Sequence, residues 1–461
     1  MHFEYNNEHE HSIEKFELML RSNEVGFFDS DEFEQIIEHY LNVGQMVTAR
    51  KAISLALSQH PSSVTIRLFK AEMLIFDNHF KEAHALLDEL YEMEPNNAEL
   101  FIQKANIYSK TENHDKAIKL LNEALELTED QADVYNLIGM EFLFMEDYSN
   151  AKVNFMKCLE LDDQDYAALY NIIYCFDFLK ENQQAIDYLN KYLDSNPYSE
   201  VAWHQVGKQY FDLKEYEKSL SAFDFAIISD DTFVGAYLEK GKVLEKLGRY
   251  NEAIFNYELT LGLDDPTSFA YLRLGKCHLK LGNEEEAIKY LKRTVKEDPL
   301  LDKGWIAIVD FYTERLNYQR ALNYLDKAIE IDGDNALYWI RFAVLNNKLN
   351  FFEEAEYGYR KAIELGNYEF DTWIDRADIL IQLGEWRAAI ITLEHGLEFY
   401  PNNPDLECRL SGVYYLTGKP FKGKYYLQNC LKAEPEQIIA FELLFPKVYK
   451  SDEIQQLITG L

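Results

Sequence analysis

The sequence predicts an all-α solenoid of about twelve helix-turn-helix repeats, each 34 residues long. Three columns of residues, read at that interval, carry the prediction. A small residue recurs at Ala49, Ala83, Ala117, Ala151, Ala185, Ser219, Ala253, Ala287, Ala321, Ala355, Ala389 and Gly423, with no insertion or deletion between them. Four residues after each stands a large apolar one, from Ile53 and Leu87 through Tyr257 to Leu393 and Leu427. Twelve residues after each stands a helix stop or turn former, among them Pro61, Pro95, Pro197, Pro299, Pro401 and Pro435. Self-similarity at such a period marks stacked supersecondary units.

The elements follow in chain order. Residues 1–29 read as an acidic N-terminal tail with a short capping helix around residues 12–21, and Asp29 with Glu32 suits the N-cap of the first repeat helix. Residues 30–435 hold the repeats. In the unit that starts at Val234, Tyr237, Leu244 and Leu247 share one helical face, Gly248 opens a turn, and Ala253, Tyr257 and Leu261 mark a second helix. Gly241 and Ala253 let the two backbones approach, while Tyr237 and Tyr257 fill the space left. One such pair cannot bury its apolar face, so it must stack on neighbours. After Pro435, residues 436–461 read as C-terminal capping helices: an apolar run from Ile438 to Phe445, a stop at Pro446 and a last short helix from Asp452. That apolar run reads either as a cap over the last repeat or as a docking surface.

The columns resemble the tetratricopeptide repeat (TPR) family. Trp203, Val206, Gly207, Tyr210, Ser219, Phe223 and Ala226 carry the likeness in one unit, and Tyr271, Leu274, Gly275, Ala287, Leu291 and Pro299 in another. The pattern departs where Arg67 replaces the aromatic residue, where Ile37 and Ile173 replace Gly, and in the last unit at Glu407 and Gly423. The resemblance implies a right-handed superhelical solenoid whose first helices line a concave groove for segments of partner proteins.

Composition excludes several other functions. A net charge of −34 repels nucleic acid and anionic lipid, so no nucleic-acid partner is expected. No stretch is apolar for long enough to span a membrane, and the N-terminus lacks the basic start of a secretory signal. Cys158, Cys175, Cys277, Cys408 and Cys430 are odd in number and scattered, as reduced cytoplasmic thiols would be. Cys158 and Cys430 share a small-residue packing column, and Cys408 falls in a column expected to be more exposed.

No catalytic set and no cofactor or metal site is expected. Gly418, Gly423 and Lys424 have the spacing of a phosphate-binding loop, but no strand precedes them and Tyr425 stands where a Mg²⁺-holding Ser or Thr is needed. Gly418 takes the inter-helix turn position that Gly248, Gly282 and Gly384 also hold, so packing accounts for the motif. His9-Glu10-His11 lacks a further ligand at helical spacing. His278 takes the position of Tyr210 and Tyr312, which reads as a core histidine.

Binding remains. The resemblance points columns 2, 5, 9 and 12 of each unit into the groove. The ninth column reads Glu38, Glu72, Asn106, Met140, Tyr174, Lys208, Lys242, Lys276, Asp310, Val344, Asp378 and Gly412. Three consecutive lysines stand out in so acidic a chain. Tyr170, His204, Leu238 and Leu272 lie one helical turn away, with Phe211 and Phe269 at the rim. Glu239 and Glu245 are placed to neutralise Lys242, and Asp212 to neutralise Lys208, whereas Lys276 has no acid at those spacings. The family's carboxylate clamp is not reproduced, since Lys303 is present but Ala307 replaces its arginine. The expected function is a non-enzymatic cytoplasmic scaffold or adaptor binding one or more proteins or peptides in the groove. The alternatives are a peptide- or ligand-gated regulator and, behind it, an enzyme completed by a partner.

Overall fold

The computed structural model describes residues 2–22, 26–263 and 267–459, the side chains of residues 2–11 and 459 excepted. All regular elements among them are helices, 28 in number. They fall into two compact units, Met1–Ser229 and Asp230–Leu461. The first unit runs in helix pairs from Ser30–Asn42 with Met46–Gln59 to Glu200–Asp212 with Tyr216–Ser229. The second runs from Val234–Lys246 with Tyr250–Thr260 to Pro404–Leu416 with Pro420–Ala433. Each unit holds six pairs, so the chain carries twelve 34-residue repeats.

The repeat period shows in how helices start and stop. First helices begin at residues whose side chains accept a backbone N–H of the first turn: Ser63 from Ile66, Asp165 from Ala168, Ser199 from Ala202, Thr267 from Ala270. Each such cap is worth about 1 kcal/mol. First helices end in a turn whose last residue is left-handed in all twelve repeats: Gly44, Asn78, Glu112, Glu146, Lys180, Lys214, Gly248, Gly282, Leu316, Asn350, Gly384 and Gly418, with φ between 57° and 78°. Only five of these are glycines, so the geometry is imposed by the repeat and tolerated by the other residues.

Packing follows the columns. The small-residue series from Ala49 to Ala389 is fully buried, and Ser219, standing in an alanine position, donates its hydroxyl to the Gly207 carbonyl at 2.7 Å. The large residues fill the space between paired helices, each worth about 1.5–3 kcal/mol when buried. In four repeats that residue lies flat on a glycine of the first helix. A methyl group at Gly139, Gly207, Gly241 or Gly275 would meet Phe155, Phe223, Tyr257 or Leu291 at 2.4–2.7 Å. Indole N–H groups tie first helices to the turn before them, Trp203 to the Pro197 carbonyl at 2.9 Å and Trp305 to that of Pro299 at 2.8 Å.

Several expectations change at the ends. The N-terminal helix spans His2–Ser22, longer than its apolar spacing indicates. It packs through Phe16, whose ring lies 5.9 Å from those of Phe28 and Tyr40. The Asp29 backbone N–H donates to Glu32 at 2.9 Å, the expected half of a capping box. At the other end Phe441, Phe445 and Ile454 are buried, and the Phe445 ring lies against Gly412. Cys408 is therefore buried, not exposed: the helix Gln437–Leu444 covers it, and its thiol donates to the Gln437 carbonyl at 3.5 Å.

Gly418 is the left-handed turn residue, Pro420 begins the next helix and Gly423 is packed under Tyr415, so the G-x-x-x-x-G-K stretch forms no phosphate cradle. His278 is half-buried and stacks on Tyr290 at 5.5 Å, a packing role at the edge of the core rather than inside it. The His9, Glu10 and His11 side chains lie outside the described residues. Among the described residues no group of His, Cys, Asp or Glu side chains is arranged to hold a metal ion. No described helix is long and apolar enough to cross a membrane.

Candidate functional site

The ten residues expected to line the groove divide between the two units. In the first, the helix Tyr166–Leu179 buries Leu169, Ile172, Ile173 and Phe176. That face turns Tyr170 and Tyr174 outward, 43% and 47% exposed. Tyr174 belongs to a cluster absent from the sequence-based set: its ring is 4.7 Å from Phe178, which stacks on Tyr148 at 4.5 Å. The signal that finds Phe178 is its place four residues after Tyr174, one turn along the same face. On the helix Glu200–Asp212, His204, Lys208 and Phe211 are all half-buried. His204 lies against Phe223 at 5.6 Å, and Phe211 against Tyr216 at 5.7 Å.

In the second unit the helices Val234–Lys246 and Ser268–Lys280 bring Lys242 and Phe269 together. The Lys242 ammonium stands 5.0 Å above the Phe269 ring, and the Arg273 guanidinium 5.7 Å from it. Lys242 is neutralised by Glu239 at 2.5 Å, as its spacing indicates. Glu245 goes elsewhere: it pairs with Arg273 at 2.8 Å and accepts the Tyr257 hydroxyl at 2.6 Å. Leu238 is half-buried. Leu272 is corrected by its 2% exposure, since it packs in the core with Ile308 and Leu291 and offers a ligand nothing.

Lys276 is the distinctive group. It is half-buried, yet no ion pair or hydrogen bond holds its ammonium among the described residues. Burial pushes its pKa down, and the adjacent Arg273 adds to that. The nearby acids are engaged, Glu245 by Arg273 and Asp310 by Arg341 at 3.3 Å. Lys276 opens into a pocket of about 440 Å³ shared with Lys246, Arg273, Lys280, Glu245 and Glu314. Four cations there face two carboxylates. Half-burying an ammonium without a partner is unfavourable, and an incoming anion relieves that cost. The arrangement can receive a carboxylate; it contains no nucleophile beside a base.

Tetratricopeptide repeat profiles match the chain at residues 74–140, 132–165, 167–199, 234–266 and 268–301. No curated protein sequence matches it. Among solved structures it is similar to a chain of the APC/C hetero-tetramer Cut9–Hcn1, at 17% identity and TM-score 0.36, over 84% of this chain and 90% of that one. It is also similar to the MamA protein, at 23% identity and TM-score 0.33, over 38% of this chain and 96% of that one. A third is YrrB, described as a TPR protein with an unusual peptide-binding site, at 21% identity and TM-score 0.31, over 39% of this chain and 92% of that one.

Proposed function

Since the chain belongs to the tetratricopeptide repeat family, we infer that it is a non-catalytic interaction scaffold that holds acidic segments of partner proteins. The repeats span residues 30–435 in this reading, with residues 1–29 and 436–461 as end caps. The observation that carries the reading is the half-buried, unpaired Lys276 ammonium in a pocket with more cations than acids. A Glu or Asp side chain entering it gains a charge-assisted hydrogen bond from Lys276 and relieves the repulsion from Arg273. Lys242, already paired, contributes mainly the Phe269 contact surface. In the first unit the exposed Tyr170 and Tyr174 and the half-buried His204, Lys208 and Phe211 supply a second aromatic and basic patch.

The test is fluorescence anisotropy with a labelled peptide of alternating Glu and Leu, on the full chain across a salt series. Lys276→Glu is expected to weaken binding most at low salt. The difference should shrink as the Debye length falls toward about 8 Å at physiological ionic strength. Truncation of Tyr174 or Phe211 to Ala is expected to weaken binding by a similar factor at every salt concentration, because those contacts are apolar. An affinity indifferent to Lys276→Glu at low salt, with the helical circular dichroism intact, would return Lys276 to the role of a solvated lysine.

A further inference from the structure

The first unit contains a second pocket, of opposite character. It measures about 280 Å³ and lies where the helices Val64–Phe76 and Ala98–Lys110 meet the turn after Ser30–Asn42. Leu41, Met46, Met73 and Phe76 make its walls apolar. One carboxylate, that of Glu72, enters this surface. Glu72 is half-buried, and among the described residues it makes neither a hydrogen bond nor an ion pair. The neighbouring amides are occupied elsewhere: the Gln103 side-chain amide donates to the Glu99 carboxylate at 2.7 Å, and that of Asn106 donates to Gln103 Oε1 at 3.4 Å. Lys110, exposed at the rim, closes no ion pair with Glu72. Burial raises the Glu72 pKa, with Glu99 adding to the effect, as expected of a carboxyl in an apolar niche that lacks a counter-ion.

A neutral apolar ligand would leave that carboxylate desolvated, and an anion would be repelled by it. A ligand with a cationic head on an aliphatic stem satisfies both parts, its methylenes against Met46, Met73 and Phe76 and its charge on Glu72. The net charge of −34 favours the approach of such a group over long range. We propose that the Glu72 pocket is a receptor for an arginine or lysine side chain of a bound protein segment, with Glu72 as the counter-ion and Phe76 as the apolar wall. Glu72 falls in the same repeat column as Lys276, yet the two sites take opposite charges. Because the Glu72 site shares no residue with the acidic-segment site, either can fail while the other stands.

The probes are n-butylguanidinium and its uncharged isostere n-butylurea, measured by saturation-transfer difference NMR on the full chain. Millimolar binding of n-butylguanidinium is expected, with n-butylurea on the order of tenfold weaker, the cost of one lost charge pair. Glu72→Gln keeps the shape of the side chain and should lower n-butylguanidinium to the level of the urea. Phe76→Ser should weaken both probes by removing the wall. Equal binding of the two probes to the wild-type chain would overturn the proposal, as would n-butylguanidinium binding that Glu72→Gln leaves unchanged.

Discussion

Replacing Gly248 by Ala should destabilise the second unit by about 0.5–1 kcal/mol, and replacing Glu112 by Gly should stabilise the first by a similar amount. Both residues hold the left-handed position that closes a repeat turn, at φ 73° and 58°. Gly248 is a clean test because a methyl group there would meet nothing within 4 Å, so no clash contributes. What remains is the backbone. An L-residue in the left-handed region is disfavoured by about 1–2 kcal/mol, and alanine recovers about 0.5–1 kcal/mol because its unfolded chain is less free than that of glycine. Glu112 is exposed and closes no ion pair among the described residues, so its replacement removes strain without removing a contact. A chain of twelve stacked repeats need not unfold in one step, so the assay is amide hydrogen exchange read by mass spectrometry in the two affected repeats. A change of about 1 kcal/mol alters local opening about fivefold. Exchange should quicken in Tyr250–Thr260 for Gly248→Ala and slow in His114–Leu125 for Glu112→Gly. Unaltered exchange in both variants would show that the turn does not require the left-handed conformation, and the argument from φ would fail.

Two further outcomes are expected. Gly241→Ala should cost about 1–3 kcal/mol despite the better helix propensity of alanine, because its methyl group would sit 2.4 Å from the Tyr257 ring, which Glu245 anchors through the hydroxyl; a urea midpoint at or above wild type would contradict this. Glu72→Gln should raise the melting temperature at neutral pH and lose that advantage below pH 4.5, the ordinary carboxyl value. The sign follows from linkage: the folded pKa is raised, so the folded state holds a proton that the unfolded state has lost, and stability falls as pH rises through that window. A midpoint difference independent of pH between the variant and wild type refutes the assignment.

Much of the fold was legible because it repeats. Ala117 alone says little, but a small residue every 34 positions from Ala49 to Gly423 specifies a helix pair, its close approach and its stacking. The left-handed turn was legible only in part: Gly248, Gly282, Gly384 and Gly418 announced it, while Glu112, Lys214 and Leu316 adopt it without any compositional sign. For the site, intrahelical spacing correctly paired Lys242 with Glu239 and left Lys276 without an acid. The same rule failed for Glu245, which sits three residues from Lys242 but bonds to Arg273 and Tyr257 of later helices.

By itself the sequence determined the period, the helix pairs, the small and large core columns and the run of three lysines in one column, since these follow from local spacing that every repeat shares. Only the tertiary structure decided which of those side chains are buried, which are paired and which are left without a counter-ion. Leu272 went into the core because neighbouring repeats closed over it, and Cys408 was covered by a helix beyond the last repeat. Glu72 became a half-buried charge because neighbouring helices brought Met46 and Gln103 to it, beside Phe76 of its own helix, without a counter-ion. Burial and much of the pairing are set by residues of other helices, and a periodic sequence fixes which residues share a column without stating which neighbour each charge will choose.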